Sequence, residues 1–525
     1  MSPSGPGKTA TIHPLKPDKT THSKLNPLAS RTSGILLHPT SLTGPHGCGD
    51  FGPSAYRFVD WLASAGQSNW QMLPLGEAGS CNSPYMSSSA FAGSFLLIDP
   101  DELIEQGWLK ADELPAAPVA SDRVDYDAVK QSRLELLRIA AERFQAQHNK
   151  RLHAAFAKFC EDERYWLNDY ALFKSVWAGQ SWRDWNTWPD GLAQRTADAL
   201  QRATQSLAGE MTFWKFCQWC YDRQWRKLKH YANANGVRLV GDVPIFVAYQ
   251  SADVWGHQDL FELDGKGCQT SVAGVPPDYF SKTGQLWGNP LYRWERHEQD
   301  GYAWWIARMK HALHHFDMVR IDHFRGFANY WAVPADEATA INGAWRPGPG
   351  EKLFDAFKQS FKTLPIIAED LGLITPDVIA LRDKFNLPGM RILQFAFGED
   401  ERNYFLPHHY IANTVAYTGT HDNDTSLGWW NSASAHEKDF ARRYLSCDGS
   451  QINWDMIKVL SASVANTVIY PLQDVIGLDG AHRMNFPGKA CNNWEWRFAW
   501  DMLDEQKTLA LAALTAETKR NPRLA

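Results

Sequence analysis

The chain has 525 residues, of which 44% are hydrophobic and 21% charged, a composition typical of a globular protein with a large core. Its 53 basic and 59 acidic residues give a net charge of −6 without a long run of like charge, so neither nucleic acid nor a membrane is an expected partner. Aromatic residues make up 13%, including 24 tryptophans. Most should fill core, although flat rings also stack on sugars.

Residues 1–32 predict a disordered N-terminal extension. They are rich in Pro, Lys, Ser and Thr and nearly lack large apolar side chains. A transit peptide would also be poor in acidic residues, but it would usually carry arginine, and none precedes Arg31. Residues 33–525 are therefore assigned to the folded domain.

The eight cysteines are scattered, and the chain shows neither a signal-peptide pattern nor an apolar run of membrane length. These features predict a reduced, cytoplasmic protein. Cys217 and Cys220 form a C-x-x-C, but they lie in a segment of helical periodicity, residues 213–231, without a second cysteine pair at zinc spacing. Buried helical thiols are expected there rather than a redox or metal site.

Short apolar runs that end in Gly, Pro, Asp or His recur along the chain, and most are followed by a helical pattern. They cover residues 33–42, 69–76, 237–247, 318–324, 365–372, 390–397, 414–422 and 466–477. Eight strands alternating with helices predict an α/β fold, a parallel (β/α)8 TIM barrel whose working residues lie at the carboxyl ends of the strands. An open doubly wound sheet is the alternative, but no G-x-G-x-x-G or Walker sequence follows these runs.

The spacing between the runs indicates two insertions around the carboxyl-end cleft. Residues 101–235 are dominated by helical periodicity and are too long for one crossover helix, so we expect a helical subdomain. Residues 248–300 carry many turn-forming Gly and Pro residues and leave Tyr279 and Trp287 on an irregular segment. This second insertion is interpreted as a substrate lid, with a packed Ω-loop as the alternative.

Residues 318–327 read M-V-R-I-D-H-F-R-G-F and place charged side chains in a pattern otherwise typical of a buried strand. Because side chains alternate along a strand, Arg320 and Asp322 point to the same side. Arg320 is then expected to keep Asp322 ionised through its charge and a hydrogen bond. An ion pair that only closes the strand end would give the same pattern, so this stretch alone leaves both interpretations open.

Three carboxylates stand at the ends of the fourth, fifth and seventh runs: Asp322, Glu369 and Asp422. Retaining glycoside cleavage needs two carboxyl groups about 5–5.5 Å apart, one ionised nucleophile and one protonated acid. Asp322 beside Arg320 suits the nucleophile. Glu369 follows apolar neighbours and suits the acid, since burial raises the pKa of a carboxyl group. Asp422, next to His421, is expected to bind sugar hydroxyls and stabilise the transition state.

Several ordered motifs resemble the amylomaltase (4-α-glucanotransferase, disproportionating enzyme) family, and together they span about residues 33–500. They are S-P-Y (83–85), S-A-F-A-G (89–93), G-D-V-P-I-F-V (241–247), V-A-G-V-P-P-D-Y-F (272–280), G-Q-L-W-G-N-P-L-Y (284–292), R-I-D-H-F-R-G (320–326), A-E-D-L-G (368–372), G-T-H-D-N-D-T (419–425) and A-H-R-M-N-F-P-G (481–488). Ser94-Phe95 and Ala328 depart from the family pattern beside these motifs, which bears on substrate-length preference.

The resemblance implies that Asp322 is the nucleophile, Glu369 the acid/base and Asp422 the transition-state stabiliser. It also implies a set of substrate-binding residues: Tyr85, Asp242, Arg320 and His421 around the donor sugar, and Trp287 and Asn289 along the glucan groove. The family uses neither a metal nor an organic cofactor for its chemistry.

The expected activity is therefore that of a retaining 4-α-glucanotransferase, which moves an α-1,4-glucan segment to the 4-hydroxyl of an acceptor glucan or glucose through a covalent β-glycosyl-enzyme. The expected partners are α-1,4-glucans and maltooligosaccharides. An α-amylase-like hydrolase could use the same carboxylates, and a catalytically silent glucan-binding protein is a third possibility. The oligomeric state is left open.

Overall fold

The computed structural model describes residues 26–115, 122–277, 281–489 and 491–524. Eight parallel strands form one sheet in the order β10-β11-β12-β1-β2-β3-β6-β9. The Ala368 amide donates to the Pro388 carbonyl at 2.9 Å between the two ends of that order, which closes the sheet. The predicted (β/α)8 barrel is confirmed.

In chain order the strands are β1 (Thr32–Leu36), β2 (Asn69–Gln71), β3 (Arg238–Pro244), β4 (Ser271–Val275), β5 (Gln285–Pro290), β6 (Met318–Asp322), β7 (Asn329–Pro334), β8 (Ala344–Pro347), β9 (Ile366–Ala368), β10 (Gly389–Ile392), β11 (Thr414–Tyr417) and β12 (Thr467–Pro471).

Helices surround the barrel, and their first residues carry clear start signals. Asp99 caps α2 by accepting two backbone N–H bonds, with Pro100 in the first turn. Ser434 and Glu437 form a capping box at the start of α14. No helix in the described ranges is long and apolar enough to cross a membrane. The helices are α1 (Pro53–Ser64), α2 (Pro100–Glu105), α3 (Tyr126–Ala146), α4 (Lys150–Asp162), α5 (Arg164–Gly179), α6 (Ala197–Ser206), α7 (Ala208–Ala234), α8 (Ala252–Gly256), α9 (Trp294–Gln299), α10 (Ala303–His315), α11 (Glu351–Ser360), α12 (Pro376–Lys384), α13 (Ser426–Ser432), α14 (Ala435–Leu445), α15 (Ile452–Ala462), α16 (Leu472–Ile476) and α17 (Glu505–Glu517).

Helices α2 to α7 lie between β2 and β3, within the segment predicted as a helical insertion. The long helix α7 packs against α5, α3, α4 and α1 and against β3, so this segment is continuous with the barrel core. Cys217 and Cys220 lie on α7 with no exposed surface, as expected for buried helical thiols. Many tryptophans also serve the core: Trp70, Trp108, Trp185, Trp214, Trp225, Trp255, Trp304 and Trp305 are fully buried.

A second, antiparallel sheet has the order β5-β4-β7-β8. It contains Trp287, on β5, so the expectation of an irregular segment there was wrong. Strand β5 carries Gly288 and ends in Pro290, and these residues hide its alternation because they favour turns and strand edges. Tyr279, the other aromatic of the predicted lid, lies outside the described residues.

The N-terminal prediction needs one correction. Residues 1–25 lie outside the described part of the chain, but residues 26–32 belong to the fold. Leu28 is only 2% exposed, and Thr32 begins β1. Arg31 donates to the carbonyls of Ser461, Ser463 and Thr518. These partners are more than 400 residues away in sequence, so local composition could not show them.

The expectation that all cysteines are reduced was also wrong for one pair. Cys81 and Cys491 form a disulfide, with their Cα atoms 4.9 Å apart across 410 residues of sequence. The remaining six cysteines are free thiols. The spacing of cysteines along the chain carries no information on such a long-range pairing.

Candidate active site

Arg320 lies at the centre of a buried charged group on two neighbouring barrel strands. In the register of β3 and β6 it stands opposite Asp242. One guanidinium nitrogen donates to Asp322 Oδ1 at 2.6 Å, and another donates to Asp242 Oδ2. Burial disfavours the charged guanidinium, but the carboxylates of Asp242 and Asp322 raise the pKa of Arg320 well above its ordinary value. Arg320 therefore stays charged and fixes both carboxylates.

Tyr85 joins this group to the seventh strand of the barrel. Its hydroxyl donates to Asp242 Oδ2 at 2.7 Å and lies 2.8 Å from His421 Nε2. Since the hydroxyl proton is used on Asp242, His421 Nε2 is assigned as the donor to Tyr85. Among the described residues, Asp242 Oδ1 is buried without a hydrogen-bond partner.

Glu369 follows β9 directly and faces the end of β6. Its two carboxylate oxygens accept the backbone N–H groups of His323 at 2.7 Å and Leu371 at 2.8 Å. These hydrogen bonds favour the charged form, but burial and the charge of Asp322 outweigh them and raise the pKa of Glu369 to about 8. The raised pKa expected from the sequence is found, so Glu369 holds a proton at neutral pH.

His323 reaches its place through a strained backbone. It directly follows Asp322 and has φ of 53°, in the left-handed region that residues other than glycine rarely adopt. This conformation lets its N–H point at Glu369 while Asp322 faces Arg320. Strain of this kind persists only where the surroundings fix it, and it is concentrated at functional sites.

Asp422 is held from the C-terminal part of the chain. Asn485 Nδ2 donates to Asp422 Oδ1 at 2.6 Å, and Arg483 donates to the Asp422 backbone carbonyl at 2.9 Å. The Asp422 side chain remains 45% exposed, so it is oriented yet open to the cleft. Neither Asn485 nor Arg483 was singled out from the sequence, although both lie in the A-H-R-M-N-F-P-G motif.

One wall of the cleft is formed by the rings of Tyr85, His421 and Trp494. The Trp494 ring centroid lies 5.8 Å from that of Tyr85 and 5.9 Å from that of His421, and the Trp494 backbone N–H donates to the Met484 carbonyl. The Tyr85 and His421 rings are themselves stacked at 5.4 Å. Trp494 lies outside the motifs, and only the general excess of tryptophan pointed to residues of its kind.

The two predicted groove residues differ in their surroundings. The Trp287 ring is partly exposed and packs edge-on against His323, with centroids 4.7 Å apart, so it lies beside the Asp322 end of β6. Asn289 is 6% exposed, and its amide donates to the Val247 carbonyl at 2.9 Å. Asn289 is therefore engaged with the loop after β3, and its contact with substrate stays a prediction.

One group in the described part of the chain has the donor set of a cation site. His46, Asp50 and Asp99 place ligand atoms within 4.8 Å of one another. Asp50 already pairs with Arg133, however, and Asp99 caps α2 through its carboxylate. We assign no metal to this group.

The arrangement as a whole defines a class of protein. A carboxyl group paired with a buried arginine, a second carboxyl group with a raised pKa beside it and a third, oriented carboxyl group lie at strand ends of a (β/α)8 barrel. This arrangement is typical of enzymes that act on glycosidic bonds. A family model described as 4-alpha-glucanotransferase matches residues 37–503.

Individual relatives agree with that match. The chain is 47% identical to the 4-alpha-glucanotransferase of Thermus thermophilus, covering 93% of this chain and 99% of the relative. It is 46% identical to that of Synechocystis, covering 93% and 98%. The solved amylomaltase from Streptococcus agalactiae in complex with acarbose superposes with a TM-score of 0.91 at 36% identity, covering 93% of this chain and 99% of that one. The chain thus belongs to the 4-α-glucanotransferase (amylomaltase) family. Its activity is glycosyl transfer between α-1,4-glucans, and the hydrolase alternative is not favoured.

Proposed function

We propose that this chain transfers α-1,4-glucan segments by double displacement, with Asp322 as nucleophile, Glu369 as acid and base, and Asp422 as transition-state stabiliser. The observation that carries the proposal is the contrast between two neighbouring carboxyl groups. Asp322 is paired with a buried cation, whereas desolvation and the charge of Asp322 raise the pKa of the partly buried Glu369 to about 8. One group can attack while the other donates a proton.

In the first step, Asp322 attacks the anomeric carbon and Glu369 protonates the departing glycosidic oxygen. Arg320 holds Asp322 Oδ1, and Oδ2, which has no hydrogen bond to any described residue, can form the bond. In the second step, Glu369, now ionised, accepts the proton of an acceptor 4-hydroxyl, and that oxygen displaces Asp322. Two inversions return the product to the α configuration.

Asp422 stabilises the oxocarbenium-like transition state between these steps. Asn485 fixes Oδ1, and Oδ2 lies 3.4 Å from His421 Nε2. Because the side chain is partly exposed, Oδ2 can also accept hydrogen bonds from sugar hydroxyls, and these bonds strengthen as the sugar ring flattens. The polar side of the donor-sugar site is formed by Tyr85, Asp242 and His421. Trp287 provides a partly exposed ring face along the groove.

The proposed partners are maltooligosaccharides and longer α-1,4-glucans. This rests on the family and on the Streptococcus agalactiae amylomaltase, whose solved structure holds acarbose. The cytoplasmic location expected from the sequence remains a proposal, and two of the plant relatives are chloroplastic or amyloplastic proteins.

Incubation with maltotriose tests the function directly. Transfer of a maltosyl unit between two maltotrioses gives glucose and maltopentaose while the number of reducing ends stays constant. Hydrolysis would raise the number of reducing ends, and a glucan-binding protein would change nothing. We expect the first product pattern by chromatography, and either of the others would refute the proposal.

The Asp322→Asn variant links that activity to the proposed nucleophile. We expect kcat to fall by more than about a thousandfold, since the amide cannot attack, while maltooligosaccharide binding stays within about threefold. Asp322 is partly exposed and Asn keeps its shape, so the fold should be retained. Near-normal turnover by this variant would remove Asp322 from the mechanism.

A further inference from the structure

The disulfide between Cys81 and Cys491 connects two segments that build the same wall of the cleft. Cys81 lies in the loop of residues 79–85, which ends at Tyr85. Cys491 lies in a second, C-terminal loop, whose described residues are 484–489 and 491–494. The Trp494 N–H donates to the Met484 carbonyl at 2.7 Å across the base of this loop. This second loop carries both Asn485 and Trp494.

The wall depends on contacts between these two loops. The Tyr85 ring packs against Trp494, and the Tyr85 hydroxyl contacts Asp242 and His421. Asn485, at the other end of the C-terminal loop, holds Asp422. If the distance between the two loops changes, the positions of Tyr85 and Asp422 in the donor-sugar site are therefore expected to change with it.

The backbone on both sides of the disulfide is strained. Cys81 and Asn82 have φ of 51° and 62°, and Asn492 and Trp494 have φ of 64° and 70°. Left-handed conformations are unfavourable for residues other than glycine and persist where further constraints fix them. The covalent link is such a constraint, and its loss would leave these turns free to relax.

The pair is also chemically accessible. Cys491 is exposed and Cys81 is partly exposed, whereas Cys48, Cys217 and Cys220 are buried and their burial raises the pKa of each thiol. Thiol–disulfide exchange requires a small reagent to reach the sulfur, and the exposed Cys491 offers that access.

We propose that Cys81 and Cys491 are a redox-modification site that controls how firmly the Tyr85 and Trp494 wall holds the donor glucan. In oxidation, the Cys491 thiolate attacks a low-molecular-weight disulfide and releases one thiol. The Cys81 thiolate then displaces the second thiol and closes the protein disulfide. Two protein thiols are oxidised, and one small disulfide is reduced to two thiols. The reverse exchange reduces the Cys81–Cys491 disulfide and allows Tyr85 and Trp494 to move relative to each other.

The inference rests on the proposed function, and the test separates the two. Wild-type protein is equilibrated with oxidised glutathione or with dithiothreitol, and peptide mapping without reduction reports the Cys81–Cys491 link. Maltotriose kinetics are measured in both states. We expect KM to be about three- to tenfold higher in the reduced state, the scale of one weakened hydrogen-bonding contact, with a smaller change in kcat.

Two variants complete the test. Cys491→Ser should show the KM of the reduced wild type under both conditions. Cys268→Ser removes an exposed thiol elsewhere and should respond to redox state as the wild type does. Absence of the linked peptide after oxidation, or equal KM values in both states, would overturn the inference while leaving transfer intact. Absence of turnover in both states would instead refute the proposed function.

Discussion

The protonation state of Glu369 depends on opposing effects on the pKa of its side chain. Two backbone N–H donors favour the carboxylate, but burial and the neighbouring Asp322 favour the neutral acid and raise its pKa to about 8. The ordinary pKa of glutamate is 4.5, and the pKa of Glu369 in the folded protein is about 8. Between these two pH values the folded protein holds a proton that the unfolded chain releases. This group's contribution to stability is therefore lost as pH rises through that window.

The pH dependence of transfer follows from the same group. Because donation needs the protonated form, kcat/KM for maltotriose should fall about tenfold per pH unit above pH about 8. The measurement is a pH profile with each sample returned to neutral pH to show that the protein has not denatured.

A substrate that needs no proton donor provides the matched control. With α-maltosyl fluoride as donor, fluoride leaves without general-acid assistance, so the decline of kcat/KM above pH 8 should disappear. The same decline with both donors would assign it to a group other than Glu369.

At the scale of elements, the site depends on the close packing of β3 against Phe316, the residue that follows α10. Gly241, the neighbour of Asp242, has no room for a side chain: an added Cβ would lie 2.3 Å from the Phe316 ring. Gly241→Ala should therefore destabilise the protein by about 1–3 kcal/mol through overpacking and lower kcat/KM by displacing Asp242.

Gly209→Ala is the matched control for that substitution. Gly209 lies on α7, and an added Cβ would meet no atom within 4 Å. Alanine should stabilise the helix by up to about 1 kcal/mol. Urea unfolding compares the two variants, and a Gly241→Ala protein as stable as the wild type would contradict the packing described for β3.

The barrel strands were predictable because each is a compact apolar run that ends in polar residues at its carboxyl end. The second sheet was missed because Gly288 and Pro290 resemble turn residues in the local sequence. Asp322 and Glu369 could be proposed as partners because both end barrel strands. Asn485 could not, since its contact with Asp422 joins positions 63 residues apart and leaves no periodic pattern.

At the scale of the whole molecule, the C-terminal part of the chain contacts both ends of the barrel. At one end, Asn485 and Trp494 reach the residues that follow the strands. At the strand starts, the fully buried Arg520 donates to the carbonyls of Thr32 and Ala465. The active site is thus complete only when the segment that begins before Asn485 is in place.

Asp322 should carry the glycosyl group between the two steps of transfer. A Glu369→Gln variant treated with α-maltosyl fluoride should be glycosylated, since fluoride needs no acid, but released slowly, since the base for the acceptor is missing. Peptide mass spectrometry should then find a maltosyl group on Asp322. A maltosyl group on another residue, or none under conditions where fluoride is released, would contradict the account.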